Sequence, residues 1–164
     1  MAYKVDEKPE PIRKTIKKAI RGGLTLHQIN DDGTVSEAPQ SEKKEHWGYH
    51  LLVGFGQANK NIDSEEKIKE FYKKLFKVLE VKELSEIVIK RALPEEGRGL
   101  SAMQMLTTSS VTLHTDDEGY DGYLDVFVCA PFKPEPVISL VEEFFTPKII
   151  HKFFVARDVR PYPK

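Results

Sequence analysis

The sequence is poor in several of the features that usually announce a function. It has one cysteine, one tryptophan and five histidines among 164 residues, and its formal net charge is −1. A single cysteine excludes a disulfide framework within the chain and fits a reducing cytoplasm. Cys129 therefore matters through its reactivity, or it is simply a small buried hydrophobe. Near-neutral charge predicts no strong electrostatic field, so neither nucleic acid nor a membrane surface is expected as a partner. No apolar run approaches the ~20 residues needed to span a bilayer. The start, "MAYKVDEKPEPIRK", lacks the apolar core of a secretory signal.

The common cofactor and metal motifs are missing too. "GRGLS" lacks the lysine of a P-loop, and "GFG" lacks the third glycine of a dinucleotide fingerprint. His46 and His50 stand at i, i+4, but Gly48 and the apolar run after it argue for the start of a strand, not a metal-binding helix. No third ligand stands nearby, so no metal is expected. "TDDEGYDGY" is acidic but departs from the calcium-loop spacing, and it reads as a solvated hairpin tip.

What is present is an ordinary soluble composition, 40% hydrophobic and 31% charged, with length for one domain. Residues 1–45 read as an N-terminal extension. "KPEPIRKTIKKAIRGG" predicts a short basic helix with Ile12, Ile16 and Ile20 in one stripe. "LTLHQI" alternates like a strand, and "NDDGTVSEAPQSEKKE" reads as turn and polar linker. Residues 46–164 read as the main domain. "YHLLVGFG" predicts a strand. "IDSEEKIKEFYKKLFKVLE" predicts an amphipathic helix capped by Asp63 or Ser64, with Ile68, Phe71, Tyr72, Leu75 and Leu79 on one face. "SEIVIKRA", "LSAMQML", "SVTLHT" and "GYLDVFVCA" predict four strands. "KPEPVISLVEEFF" predicts a helix burying Val137, Leu140, Val141 and Phe144, and "KIIHKFFVARD" a closing strand. The order β-α-β-β-β-β-α-β predicts an α+β fold, a two-layer sandwich with a mostly antiparallel sheet and two helices on one face. The sheet's other face stays partly apolar, which predicts burial against another subunit.

The stretch from Thr107 to Ala130 gathers Ser109, Ser110, His114 and Cys129 within two strands. Thr112 and His114 share one strand face, as do Tyr123, Asp125, Phe127 and Cys129. Pairing through "DDEGYDG" would let His114 and Cys129 flank one patch near Ser109. The residue pattern alone leaves two readings open, a half-buried hairpin whose polar groups are merely satisfied and a reactive site.

A family resemblance bears on that choice. "GLSAMQMLTTSSVTLHTDDEGYDGYLDVFVCA" resembles the core of the prokaryotic S-adenosylmethionine decarboxylases, which make their own pyruvoyl cofactor by cleaving at a Glu-Ser bond. Those enzymes continue with a short strand to His-Thr, an acidic turn with tyrosine, and Asp-Val-Phe-Thr-Cys. Aligned without a gap on His114 and Thr115, the resemblance places the pyruvoyl-forming serine at Ser109 and the proton-donor cysteine at Cys129. The family's second processing residue falls on Ser101 in "GLSA". "WGYHLLVGF" resembles the family's opening strand, and the likeness runs from His46 to Asp158.

The resemblance implies a self-processing, pyruvoyl-dependent carboxy-lyase acting on S-adenosylmethionine in polyamine biosynthesis, cleaved between Thr108 and Ser109. In that chemistry Ser109 Oγ attacks the Thr108 carbonyl and gives an ester by N-to-O acyl shift. His114 assists proton movement, and Ser101 holds the carbonyl or its oxyanion. β-Elimination and hydrolysis leave a pyruvoyl group at the head of a new C-terminal chain. Its ketone forms a Schiff base with the substrate amine and accepts the electrons released with carbon dioxide, and Cys129 reprotonates the substrate carbon. Glu118 keeps the family's glutamate as a candidate substrate contact. The resemblance further implies that two processed protomers pair as a homodimer.

Four departures stand beside the matches. Thr108 replaces the glutamate before the serine, and Ser110 replaces the histidine after it, which makes Ser110 a competing nucleophile if the turn slips by one residue. "HTDDE" lacks the family's Trp-Pro pair. "KRALPEEG" carries no aromatic where the family has one against adenine, a ring that wants a π-face. Two alternatives follow: the same chemistry on a basic amino acid such as ornithine or arginine, and a non-cleaving homologue with a binding or regulatory role.

Overall fold

A computed structural model of the chain describes residues 26–29, 35–37, 48–93 and 97–157. Its frame is a strand that alternates almost perfectly between faces. β3 (Gly48–Gly56) sends Tyr49, Leu51, Val53 and Phe55 to one side, all buried, while His50 and Leu52 go to the other. β5 (Leu100–Leu106), β6 (Ser109–Asp116) and β7 (Asp121–Val128) alternate in the same way. They add to β3 as an antiparallel meander, with β8 (Ile149–Arg157) on its other flank. The short β4 (Val88–Arg91) forms one edge, a length that limits the exposed row of unpaired backbone groups.

β1 (Leu26–Ile29) lies parallel to β8, and β2 (Val35–Glu37) pairs antiparallel with β1. The sheet order is β2-β1-β8-β3-β7-β6-β5-β4. The strand expected from "LTLHQI" is present as β1. β2 falls where turn and linker were expected; its three residues, Val-Ser-Glu, carry little strand signal and acquire the conformation by pairing. The basic helix expected between residues 8 and 23 lies outside the described residues.

Two helices cover one face of the sheet, as the element order implied. α1 (Glu65–Leu79) begins at Ser64, whose Oγ accepts from the Lys67 amide at 3.3 Å, with Glu65 and Glu66 at the positive end of the helix dipole. It buries Ile68, Phe71, Tyr72, Leu75, Phe76 and Leu79. α2 (Pro134–Phe145) starts on a proline whose missing N–H costs nothing there, and it buries Val137, Val141, Phe144 and Phe145. The helices meet through Phe71, whose ring centroid lies 4.8 Å from that of Phe145, and Phe145 in turn stacks on Phe55 of β3 at 5.1 Å. Each such ring removed from water contributes about 1.5–3 kcal/mol. Tyr72 also ties α1 to the sheet, donating its hydroxyl to the Ala102 carbonyl at 3.1 Å.

The helix-free face keeps the apolar character expected of it. Met103 is 53%, Met105 54% and Tyr123 58% exposed there. One glycine fixes its geometry. Gly99 has φ +78°, and a Cβ at that position would overlap the Thr115 carbonyl. The tight approach lets Thr115 Oγ1 accept from the Leu100 amide at 2.8 Å, which sets the register of β5 against β6.

Candidate active site

The register arranges the helix-free face in rows across the strands. Ser101, His114 and Tyr123 stand side by side in one row. Ser101 Oγ and His114 Nδ1 are 2.9 Å apart, so the serine hydroxyl holds one ring nitrogen and leaves Nε2 directed elsewhere. Glu118 is at the same end, on the β6–β7 hairpin tip. It is exposed, is ion-paired with Arg98, and donates its amide to Asp116 Oδ1 at 2.9 Å.

Ser109 and Cys129 meet at the opposite end. β5 and β6 are joined by a turn of only two residues, Thr107 and Thr108, both exposed. Ser109 is therefore the first paired residue of β6, opposite Val128, and the Cys129 amide donates to Ser109 Oγ in a long hydrogen bond of 3.4 Å. Strand alternation puts Ser109 on the helix-covered side with Val111 and Leu113, whereas Ser110 stands on the helix-free face opposite Met105 and Phe127. The two serines thus have different surroundings, and Ser109 is the one with a backbone donor on its oxygen.

The structure does not gather the sequence candidates into one patch within a chain. His114 faces Tyr123, near the hairpin turn, and Cys129 lies beyond the far end of β7. Antiparallel pairing reverses the order of residues, so closeness to the turn in one strand cannot match distance from it in the other. From Ser109 to His114 is five residues along β6, roughly 17 Å at the usual rise.

The family of the chain follows from comparison with known proteins. The S-adenosylmethionine decarboxylase family model matches residues 49–158. The chain belongs to the S-adenosylmethionine decarboxylase family. It is 31% identical over 99 residues to a curated S-adenosylmethionine decarboxylase proenzyme of Clostridium botulinum strain Hall, covering 58% of this chain and 81% of that one. A proenzyme from the Langeland strain is 30% identical over the same length. The crystal structure of the adenosylmethionine decarboxylase from Aquifex aeolicus superposes with a TM-score of 0.63 over 74% of this chain and 98% of that one. At 20% identity that likeness speaks to the fold. The chain is thus an α+β sandwich and a decarboxylase.

Between the two ends of this family member's face lies a polar pair not singled out from the sequence. His50 Nε2 and Asp125 Oδ1 are 3.1 Å apart, in adjacent strands β3 and β7. Burial pushes the His50 pKa below its ordinary value, opposed by the Asp125 carboxylate and reinforced by Arg157. The Arg157 guanidinium itself lies 4.8 Å from the centre of the Phe127 ring. Strand alternation already put Asp125 on the face of Cys129; placing His50 on that face needed only the same count along "YHLLVGFG". Among the described residues no three His, Cys, Asp or Glu side chains converge as metal ligands.

Proposed function

We propose that this chain is a proenzyme that cuts its own Thr108-Ser109 bond and, with a pyruvoyl group formed at position 109, decarboxylates S-adenosylmethionine in polyamine biosynthesis. The observation that carries the reading is the placement of Ser109. It is the first residue after a two-residue turn, with the Cys129 amide on its hydroxyl. The residues present fit a group carried at position 109, because the cysteine follows β7 directly beside it. Pyruvoyl supplies there a ketone that accepts the electron pair released as carbon dioxide leaves.

The chain's own residues do the rest. Ser109 Oγ attacks the Thr108 carbonyl carbon, the C–N bond breaks, and the acyl group passes to oxygen as an ester. The hydroxyl proton moves to the departing nitrogen through an imidazole, a task suited to His114 with Ser101 holding its Nδ1. β-Elimination then expels the Thr108 carboxylate and splits the chain, and hydrolysis of the dehydroalanine left at position 109, through its imine form, releases ammonia. In turnover the Cys129 thiol would donate its proton to the substrate carbon.

The separation along β6 means that one chain cannot supply both halves of this machinery to one site. A second copy laid on the helix-free face, antiparallel across a two-fold axis, brings its own Ser101 and His114 to the end of the sheet where the Thr108-Ser109 peptide and Cys129 stand. The exposed Met103, Met105 and Tyr123 form the kind of apolar surface that such an interface covers.

Intact mass of the purified protein tests the reading: two fragments split just before Ser109 support it. A single whole chain overturns it in favour of a non-cleaving homologue. Ser109→Ala should abolish the cut and Ser110→Ala should leave it; the reverse result would put the nucleophile one residue on. Co-expression of Ser109→Ala with His114→Ala tests the shared site. The mixed dimer keeps one complete site, so the His114→Ala chain alone should be cleaved, whereas a site built within one chain yields no cleavage. Carbon dioxide release from S-adenosylmethionine against ornithine and arginine tests the substrate: release from S-adenosylmethionine supports the reading, and release only from a basic amino acid, which needs no aromatic in "KRALPEEG", overturns it.

A further inference from the structure

Self-cleavage by N-to-O acyl shift needs the serine hydroxyl and the preceding carbonyl held against each other while the peptide between them distorts. The two sides of the Thr108-Ser109 bond are anchored differently. On the C-terminal side Ser109 pairs with Val128 of β7 and takes the Cys129 amide on its hydroxyl. On the N-terminal side β5 is held by a second line, residues 82–85, which crosses its end as a strap. Thr107 donates both its amide (3.1 Å) and its hydroxyl (3.3 Å) to the Lys82 carbonyl. Glu83 forms an isolated antiparallel bridge with Leu106. The Met105 carbonyl accepts from the amides of Leu84 (3.0 Å) and Ser85 (3.3 Å), and the Met105 amide donates to Ser85 Oγ at 3.2 Å.

Gln104 locks this strap. It is 3% exposed, on the helix-covered face where β5 otherwise presents Leu100, Ala102 and Leu106. A buried primary amide is retained at little cost only where its donors are used. Gln104 Nε2 donates to Glu83 Oε2 at 2.9 Å and to the Ser85 carbonyl at 2.7 Å. Both hydrogen bonds of this polar side chain in a row of apolar ones go to residues 83 and 85, so it ties that segment to β5. Both parts of the strap precede residue 108, so the lock stays within one fragment after the cut.

We propose that Gln104 is a positioning residue for self-processing: through residues 82–85 it clamps the carbonyl side of the Thr108-Ser109 bond while β7 clamps the hydroxyl side. The inference rests on the self-cleavage reading above. With the clamp released, the turn of Thr107 and Thr108 relaxes as a unit and the attack geometry is populated less often.

The test is a time course of cleavage by intact mass on freshly translated full-length chain. Gln104→Leu should lengthen the half-time at least tenfold, with a thermal midpoint close to that of an uncleaved Ser109→Ala reference. Gln104→Glu sets two carboxylates together and should cleave slowly at neutral pH, recovering as acid neutralises the pair while the thermal midpoint stays near the reference; a midpoint that falls and recovers in step with the half-time overturns the positioning role. Should Gln104→Leu fail to fold, Ser85→Ala removes the acceptor of the Met105 amide and should slow the cut severalfold. Wild-type cleavage with unchanged half-times in these variants overturns the clamp alone. A wild-type chain that never cleaves overturns the self-processing reading beneath it.

Discussion

Leu113 and His114 are neighbours in β6, yet they work on opposite sides of one sheet. Leu113 is fully buried under the helices, and His114 is exposed on the helix-free face, where it meets Ser101. The same division separates Val128, which is buried, from Cys129, which follows it. One face is nearly all aliphatic and aromatic packing and decides that the chain folds. The other mixes the exposed apolar Met103, Met105 and Tyr123 with the titratable His50, Asp125 and His114.

The largest effect should come from breaking the functional side of that comparison. His114→Ala should slow self-cleavage by roughly 100-fold or more, the usual loss for a proton-transfer group, while stability moves by no more than about 0.5 kcal/mol. Cleavage by intact mass and a denaturation midpoint on the same sample would check both. Its neighbour should behave oppositely: Leu113→Ala should cost about 2–5 kcal/mol in denaturant unfolding, from lost transfer energy and the cavity left behind. Cys129→Ala sharpens the division between the two ends of the helix-free face. It should cut as usual and then turn substrate over far more slowly, because its proton is needed after processing; equal loss in both assays would place the thiol in the cleavage step as well.

Met103→Asp tests what covers the helix-free face. A charge there should shift sedimentation from dimer to monomer and abolish cleavage while leaving the helix-covered core intact, as read by near-native circular dichroism. The smallest effect concerns His50. Burial holds its pKa below the ordinary 6.5, so the folded chain binds fewer protons than the unfolded one as pH falls through that value. Stability is then full above about pH 6.5 and declines on acidification, the direction linkage requires when the unfolded state takes up more protons. His50→Gln should flatten this acid-side slope in a pH series of unfolding midpoints. An unchanged slope would assign the dependence to other groups.

Much of this architecture was legible before any fold was known. The run from Ser64 to Leu79 carries its own cap, its acidic first turn and its apolar stripe, and α1 uses all three. The alternation in "LSAMQML" and "SVTLHT" told which side chains share a face, and the faces are as counted. β2 was not legible, because Val-Ser-Glu has strand geometry only while β1 lies beside it. His50 was passed over for want of a partner, and that partner, Asp125, is 75 residues away in sequence. Gln104 was not legible either, because its partners, Glu83 and the Ser85 carbonyl, reach it only through the fold.

The sequence by itself determined the local periods, the cap at Ser64 and the residues able to carry chemistry, because each depends on neighbours within a few positions. It also carried the family resemblance, in the stretch from Gly99 to Ala130 and in "WGYHLLVGF". Only the tertiary structure decided which rows those residues occupy. Strand register is a non-local choice, set here by contacts such as that of Gly99 with Thr115, and it sends Ser101 and His114 to one end of the sheet and Ser109 and Cys129 to the other. That separation is why the proposed site draws on two chains.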